Sequence, residues 1–153
     1  MILSFLIPTK NRPDDLEANI LAISNLNLKG MEYEILVLDD GSTKDYSSVV
    51  SGYKFIRYYK NESSLGISSV RNKLARLANG KYLIFLDDDV QIDENLSLSI
   101  LLELFESNTK LALIAFNITA ILSTDYYVND ESNTVNVNQK SIKQIPFNKY
   151  HTY

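Results

Sequence analysis

Apolar residues in this chain gather into short runs separated by stretches with helical spacing. Residues 2–7, 34–38 and 83–86 are compact apolar runs that stop at turn-forming or acidic groups, which predicts buried strands. Residues 53–59 make a further strand candidate, partly exposed because Lys54 and Arg57 interrupt it. Between the first two runs, Leu16, Ile20, Leu21 and Ile23 form an apolar stripe behind Asp14, Asp15 and Glu17. Acids there suit a helix N-terminus, so a helix is expected from about Asp14. A short helix can begin near Ser42 or Thr43. Over residues 64–78, Val70, Leu74, Leu77 and Ala78 share one face with Arg71 at its border, and Asn79-Gly80 ends that helix. Asp93 is placed to cap a last helix in which Leu96, Ile100, Leu101, Leu104 and Phe105 face inward. Strands alternating with helices predict an α/β fold, a mostly parallel sheet between two helical layers. Ligands of such sheets bind outside the carboxyl ends of the strands.

Beyond Lys110 the texture changes. Residues 111–122 and 134–138 look like strands within an Asn-, Ser- and Thr-rich segment, expected as antiparallel additions to the sheet or the start of another subregion. A length of 153 residues with 45% hydrophobic content suits a single globular domain. The net charge of −4, with basic residues scattered, supplies no field for nucleic acid or an anionic membrane. There is no cysteine, which excludes disulfides, thiolate metal sites and thiol catalysis. His151, the single histidine, reads as a solvated tail residue and poor base. The first seven residues are too short to span a membrane and run into Pro8, so no transmembrane segment and a cytosolic protein are expected.

The chemistry concentrates at strand ends. The run over residues 83–86 ends in Asp87, Asp88 and Asp89, three adjacent anions that repel one another unless something positive neutralises them. An all-oxygen cluster suits a hard divalent cation, Mg²⁺ or Mn²⁺; the plainer alternative is a solvated acidic loop capping the next helix. Asp39-Asp40-Gly41-Ser42 closes the second run, and Pro8-Thr9 closes the first. A parallel sheet brings all three loops to one edge. Acids free of metal can accept hydrogen bonds from a ribose hydroxyl or a base N–H. Neither GxGxxG nor GxxxxGK[ST] occurs, so phosphate charge must be met by the metal, with help from Arg71.

Five segments in order resemble the GT-A-fold glycosyltransferases of family 2, which use nucleotide-sugar donors. They are Ser4-Phe5-Leu6-Ile7-Pro8-Thr9-Lys10-Asn11-Arg12, Ile35-Leu36-Val37-Leu38-Asp39-Asp40-Gly41-Ser42-Thr43, Gly66-Ile67-Ser68-Ser69-Val70-Arg71-Asn72, Ala78-Asn79-Gly80-Lys81-Tyr82-Leu83 and Phe85-Leu86-Asp87-Asp88-Asp89. The resemblance covers about the first two-thirds of the chain. It implies a Rossmann-like GT-A sheet, with a donor-binding part over residues 1–110 and the start of an acceptor-side part, incomplete, over 111–153. It further implies that Pro8, Thr9, Asp39 and Asp40 line the nucleoside pocket, Asp40 reading the uracil edge. Arg71 reaches the base or adjacent donor groups. Asp87 and Asp88 hold ribose or the metal's water shell, and Asp89, helped by Asp87, binds Mn²⁺ or Mg²⁺ across the two phosphates.

The activity implied is inverting, metal-dependent transfer from a UDP-sugar to a saccharide or glycolipid acceptor, as in bacterial surface polysaccharide synthesis. Peripheral association with the inner face of the membrane is compatible with it. An inverting enzyme needs a carboxylate base. In the family that base lies downstream of the metal motif, where this chain offers only Asp130 and Glu131 as weak candidates, so a truncated or shortened member is expected. The alternative function is a non-catalytic nucleotide-sugar-binding or assembly domain. A magnesium-dependent receiver-like phosphotransfer domain is a third reading, which the ordered motifs disfavour.

Overall fold

The computed structural model describes residues 2–114 except 29, 91, 94 and 95. Its elements run β1 (Leu3–Thr9), α1 (Pro13–Ser24), β2 (Tyr33–Asp39), α2 (Ser47–Ser51), β3 (Ile56–Lys60), α3 (Ile67–Leu77), β4 (Tyr82–Phe85) and α4 (Leu98–Ser107). The strands are parallel in the order β3-β2-β1-β4. The chain therefore builds outward from β1 in one direction and then returns to its other side. The gap between β1 and β4 is the point where strand order reverses, the place where sheets of this kind bind ligands.

Alternation along β1 explains the layers. Leu3, Phe5 and Ile7 join Ile35 and Val37 of β2 beneath α1, whose Leu16, Ile20 and Ile23 are wholly buried. Tyr46, Val49 and Leu98 extend that core toward α2 and α4. On the opposite face Leu6, Leu36 and Leu38 meet Val70 and Leu74 of α3. Because β1 is buried on both sides it reads as a continuous apolar run. Burial of each large aliphatic side chain contributes at most about 1.5–3 kcal/mol.

The expected α/β sheet is present, with local differences. Leu21 is exposed, and its place on the inner face of α1 is taken by the buried Asn19. No helix starts at Ser42 or Thr43: the N–H groups of Thr43 and Lys44 both donate to Asn11 Oδ1, which holds the segment as a turn until α2 at Ser47. Strand β3 starts at Ile56, later than expected. Strand β4 is partly buried on one face only; Tyr82 and Ile84 pack against the α1-side core, while Leu83 and Phe85 are exposed. Helix α4 begins after Ser97 rather than Asp93, which shifts its stripe. Leu98, Leu101 and Leu102 face the core, and Ile100 and Leu104 are 58% and 47% exposed. Residues 111–114 are irregular, and the remainder of the expected C-terminal strands lies outside the described residues. No helix among the described residues is long and apolar enough to cross a membrane.

Candidate functional site

Register decides which groups meet. Thr9 stands level with Asp39 across β1 and β2, and Leu6 level with Phe85 across β1 and β4. Leu86 N–H continues that ladder to Leu6 C=O at 3.1 Å, so the chain arrives beside Thr9 two residues later, at Asp88. Thr9 Oγ1 donates to Asp88 Oδ2 at 2.8 Å. Asn19 clamps the same turn from α1, its Nδ2 donating to Asp87 C=O at 2.9 Å. An otherwise unexplained polar residue in the α1 core thereby fixes the acidic turn.

These loops and the start of α3 enclose an open cleft of about 510 Å³. Pro8, Thr9, Asp40, Arg71, Asp87, Asp88 and Asp89 all line it, together with Lys10, Ser64, Gly66, Ile67 and Val70. Asp39 lies behind that wall, wholly buried, its carboxylate receiving Ser42 N–H at 2.7 Å and the Tyr58 hydroxyl at 2.8 Å, with Lys60 Nζ at 3.3 Å. Burial would raise the Asp39 carboxyl, but these donors outweigh it and lower it below the ordinary range. Burial and the bond to Asp39 in turn raise the Tyr58 phenol. Asp130 and Glu131 lie outside the described residues.

Asp40 is on the wall yet heavily bonded. Oδ1 receives Asn61 Nδ2 and Leu65 N–H at 2.9 and 2.8 Å; Oδ2 receives Ser64 Oγ and Gly66 N–H at 2.6 and 3.0 Å. Burial alone would raise this carboxyl, but the bonds from Leu65, Ser64, Asn61 and Gly66 hold it at about 2. The loop before α3 is thus gathered around one anion. Gly41 makes this possible, with φ of 77° and a backbone so close to the 63–64 peptide that a Cβ would stand 2.8 Å from Ser63 C and Ser64 N.

The charges expected to repel are compensated by arginines. Arg71 Nη2 reaches Asp87 at 2.5 Å, and its Nε is buried without a hydrogen-bond partner. Arg12 Nη1 lies 3.1 Å from Asp88 Oδ1 and 2.6 Å from Asp89 Oδ2. Attraction first to Asp88 and then to Asp89 raises the Arg12 guanidinium above its ordinary value. Two carboxylate oxygens converging on one cationic nitrogen form a donor set suited to a hard cation. No group of three or more acid or histidine side chains that could hold a metal occurs among the described residues, so a six-coordinate Mg²⁺ or Mn²⁺ here needs further oxygens from a ligand and water.

Arg12, Asn11, Tyr46 and Asn19 are site-building residues that motif spacing assigned no role. Only Arg12 had a signal, as a cation in a loop facing three anions. Asn11 adopts φ of 59°, rare outside glycine, and its Oδ1 ties the loop after β1 to the one after β2.

The model of the family described as Glycosyl transferase family 2 matches residues 4–152. The chain belongs to glycosyl transferase family 2. It is 38% identical over 95 residues to GalNAc(5)-diNAcBac-PP-undecaprenol β-1,3-glucosyltransferase of Campylobacter jejuni, covering 59% of this chain and 30% of that one. S. aureus TarS (1–349) in complex with UDP-GlcNAc superposes with a TM-score of 0.61 at 22% identity, over 70% of this chain and 32% of that one. The mannosyltransferase PcManGT of Pyrobaculum calidifontis, in complex with GDP-Man and Mn²⁺, gives 0.54 at 20% identity, over 58% and 28%. These two likenesses show the shared GT-A fold. The match spans about a third of the length of three curated relatives, and between 20% and 52% of others.

Proposed function

We propose that residues 1–110 form the donor-binding part of a metal-dependent glycosyltransferase that takes a UDP-sugar and glycosylates a saccharide or glycolipid acceptor with inversion. The single observation that carries this is the meeting of Thr9, Asp40 and Asp87 to Asp89 on one cleft, at the reversal of strand order, with the Arg12 guanidinium bridging Asp88 and Asp89. The named donor complexes of TarS and PcManGT supply the ligand class, a nucleoside-diphosphate sugar, and the second also the metal. The undecaprenol-linked substrate in the name of the Campylobacter relative favours a glycolipid acceptor. A role in surface polysaccharide synthesis, at the cytoplasmic face of the membrane, follows by that analogy.

Each residue then has a physical task. Asp89 would hold Mn²⁺ or Mg²⁺ as the family motif implies, and the bridging of Asp88 and Asp89 by Arg12 favours Asp88 over Asp87 as its helper, which leaves Asp87 for ribose or coordinated water. When bound, the ion offsets the charge that develops on the departing diphosphate. Pro8 and Thr9 form the floor under the nucleoside. Asp40 faces the base or, through its four bonds, fixes the loop that does. Asp39 supports that loop from behind. Arg71, with an orphaned Nε, can exchange Asp87 for an acceptor on the donor. The general base comes from the acceptor side, for which Asp130 and Glu131 remain the candidates.

Calorimetry of UDP with Mn²⁺ and with EDTA tests the reading. UDP should bind more tightly with the ion, and Asp89→Asn should lose most of that enhancement while keeping the fold. Affinity indifferent to metal would remove the assigned role of the acidic turn.

A further inference from the structure

The two arginines at the acidic turn are held differently. Arg71 belongs to the body of α3, whereas Arg12 precedes α1 and reaches both Asp88 and Asp89 through one nitrogen. The Arg12 main chain is pinned: its N–H donates to Tyr46 Oη at 2.8 Å, and Asn11 beside it is locked to Thr43 and Lys44. The Arg12 side chain, in contrast, is 50% exposed, and among the described residues its head is held only by Asp88 and Asp89. Its base is fixed and its guanidinium can swing away.

A divalent ion bonding the same oxygens at about 2.0–2.2 Å cannot coexist with Nη1 where it now lies, since both volume and like charge forbid it. We propose that Arg12 is a tethered counter-ion, occupying the cation position between Asp88 and Asp89 and displaced when a divalent ion and a diphosphate bind together. The proposal rests on the donor-site reading above. It adds a reason for the two ligands to cooperate. An incoming ion alone must strip Arg12 of its partners, but a diphosphate offers the freed guanidinium a forked acceptor. Coupling of this kind is reciprocal, so Mn²⁺ and UDP each raise the other's affinity beyond their direct contact. Arg12 is therefore a positioning residue that keeps the acidic turn compact without ligand and couples the binding of the two ligands.

The test needs no turnover. The full chain and Arg12→Gln are titrated with Mn²⁺ alone, following the free-ion EPR signal, and circular dichroism confirms the fold. Arg12→Gln should bind Mn²⁺ about 3- to 10-fold more tightly than the parent, with Arg12→Lys between them, on the scale expected for two partly exposed ion pairs. The Mn²⁺ enhancement of UDP affinity should shrink in Arg12→Gln. Equal or weaker Mn²⁺ affinity in Arg12→Gln, or no Mn²⁺ binding by either protein, overturns the proposal. So does tighter binding that survives Asp89→Asn in the Arg12→Gln background, because the ion would then lie elsewhere. If Arg12→Gln does not fold, Arg12→Lys against the parent decides by the same criterion. Failure of UDP to bind would sink the donor reading but leave the Mn²⁺ comparison intact, which keeps the two failures apart.

Discussion

Thr9 and Asp88, 79 residues apart in the chain, share a hydrogen bond of 2.8 Å that joins the ends of β1 and β4. The threonine hydroxyl has one proton and gives it to the carboxylate. Tyr46 Oη, 3.0 Å from Thr9 Oγ1, must therefore be the donor in that pair, and its own lone pair accepts Arg12 N–H. A directed chain thus runs from Arg12 through Tyr46 and Thr9 to Asp88.

Tyr46→Phe should unfold more easily than the parent by about 1–2 kcal/mol, because it leaves the Arg12 N–H without its acceptor and Thr9 without its donor. UDP binding in Mn²⁺ should weaken with it, since Asp88 loses the group that orients its partner. Denaturant melts and calorimetry on the same preparation check both. Parental stability would mean that the hydroxyl chain carries no energy.

Asp40 predicts an acid transition. Its folded value of about 2 lies below the ordinary 3.8, so the stability it adds is present above pH about 4 and lost as pH falls toward 2. The difference amounts to about 2 kcal/mol. Asp39 and Glu34 are lowered in the same direction and reinforce it. Asp40→Asn should be less stable at neutral pH and show a shallower fall below pH 4 in urea melts. An unchanged acid limb would reassign the transition to the other carboxylates.

The two acidic loops should separate by mutation. Asp40→Ala is expected to weaken UDP and uridine alike and to preserve the Mn²⁺ enhancement, because its carboxylate acts at or behind the nucleoside wall. Loss of the Mn²⁺ effect alone, with uridine bound normally, would exchange the roles given to the two loops.

Gly41→Ala should destabilise the chain by about 2–4 kcal/mol, combining a left-handed backbone with a Cβ driven into the 63–64 peptide. The donors around Asp40 would be pushed away together. Thermal melts should show the loss, and the variant should bind UDP more weakly than its remaining folded fraction accounts for.

Glu34 offers a contrast remote from the cleft wall. Its buried carboxylate receives Ser4 Oγ, Asn79 N–H and Arg57 at 2.7, 2.6 and 2.6 Å, tying β2 to the end of α3. Burial would raise it, but those bonds from Asn79, Ser4 and Arg57 bring it below the ordinary value. Glu34→Ala should cost about 2–4 kcal/mol, leaving buried donors unpaired, with UDP affinity of the folded protein unchanged. A large affinity loss would show that the site depends on the α3 C-terminus.

Local pattern by itself determined the α/β class, the order of the elements and the strand-end loops, because apolar runs of strand length and stripes of helical spacing are properties of neighbouring residues. It also brought Pro8-Thr9, Asp39-Asp40-Gly41-Ser42 and Asp87 to Asp89 forward as one set, since parallel strands deliver their ends to one edge, whereas Arg71, inside α3, was joined to them by the family resemblance. The expected stripe of α4 differs at Ile100 and Leu104, which are exposed, because the helix begins after Ser97 rather than at Asp93 and turns Leu98, Leu101 and Leu102 toward the core. Tertiary structure alone decided that Asp39 lies behind the wall while Asp40 faces it, a matter of strand pleat and of the Gly41 turn. It alone paired Arg12 with Asp88 and Asp89 and Asn19 with Asp87, contacts across 68 to 77 residues that no local spacing encodes. The reason is geometric: periodicity states which face a side chain takes, and only the register of β1 against β4 states whom it meets there.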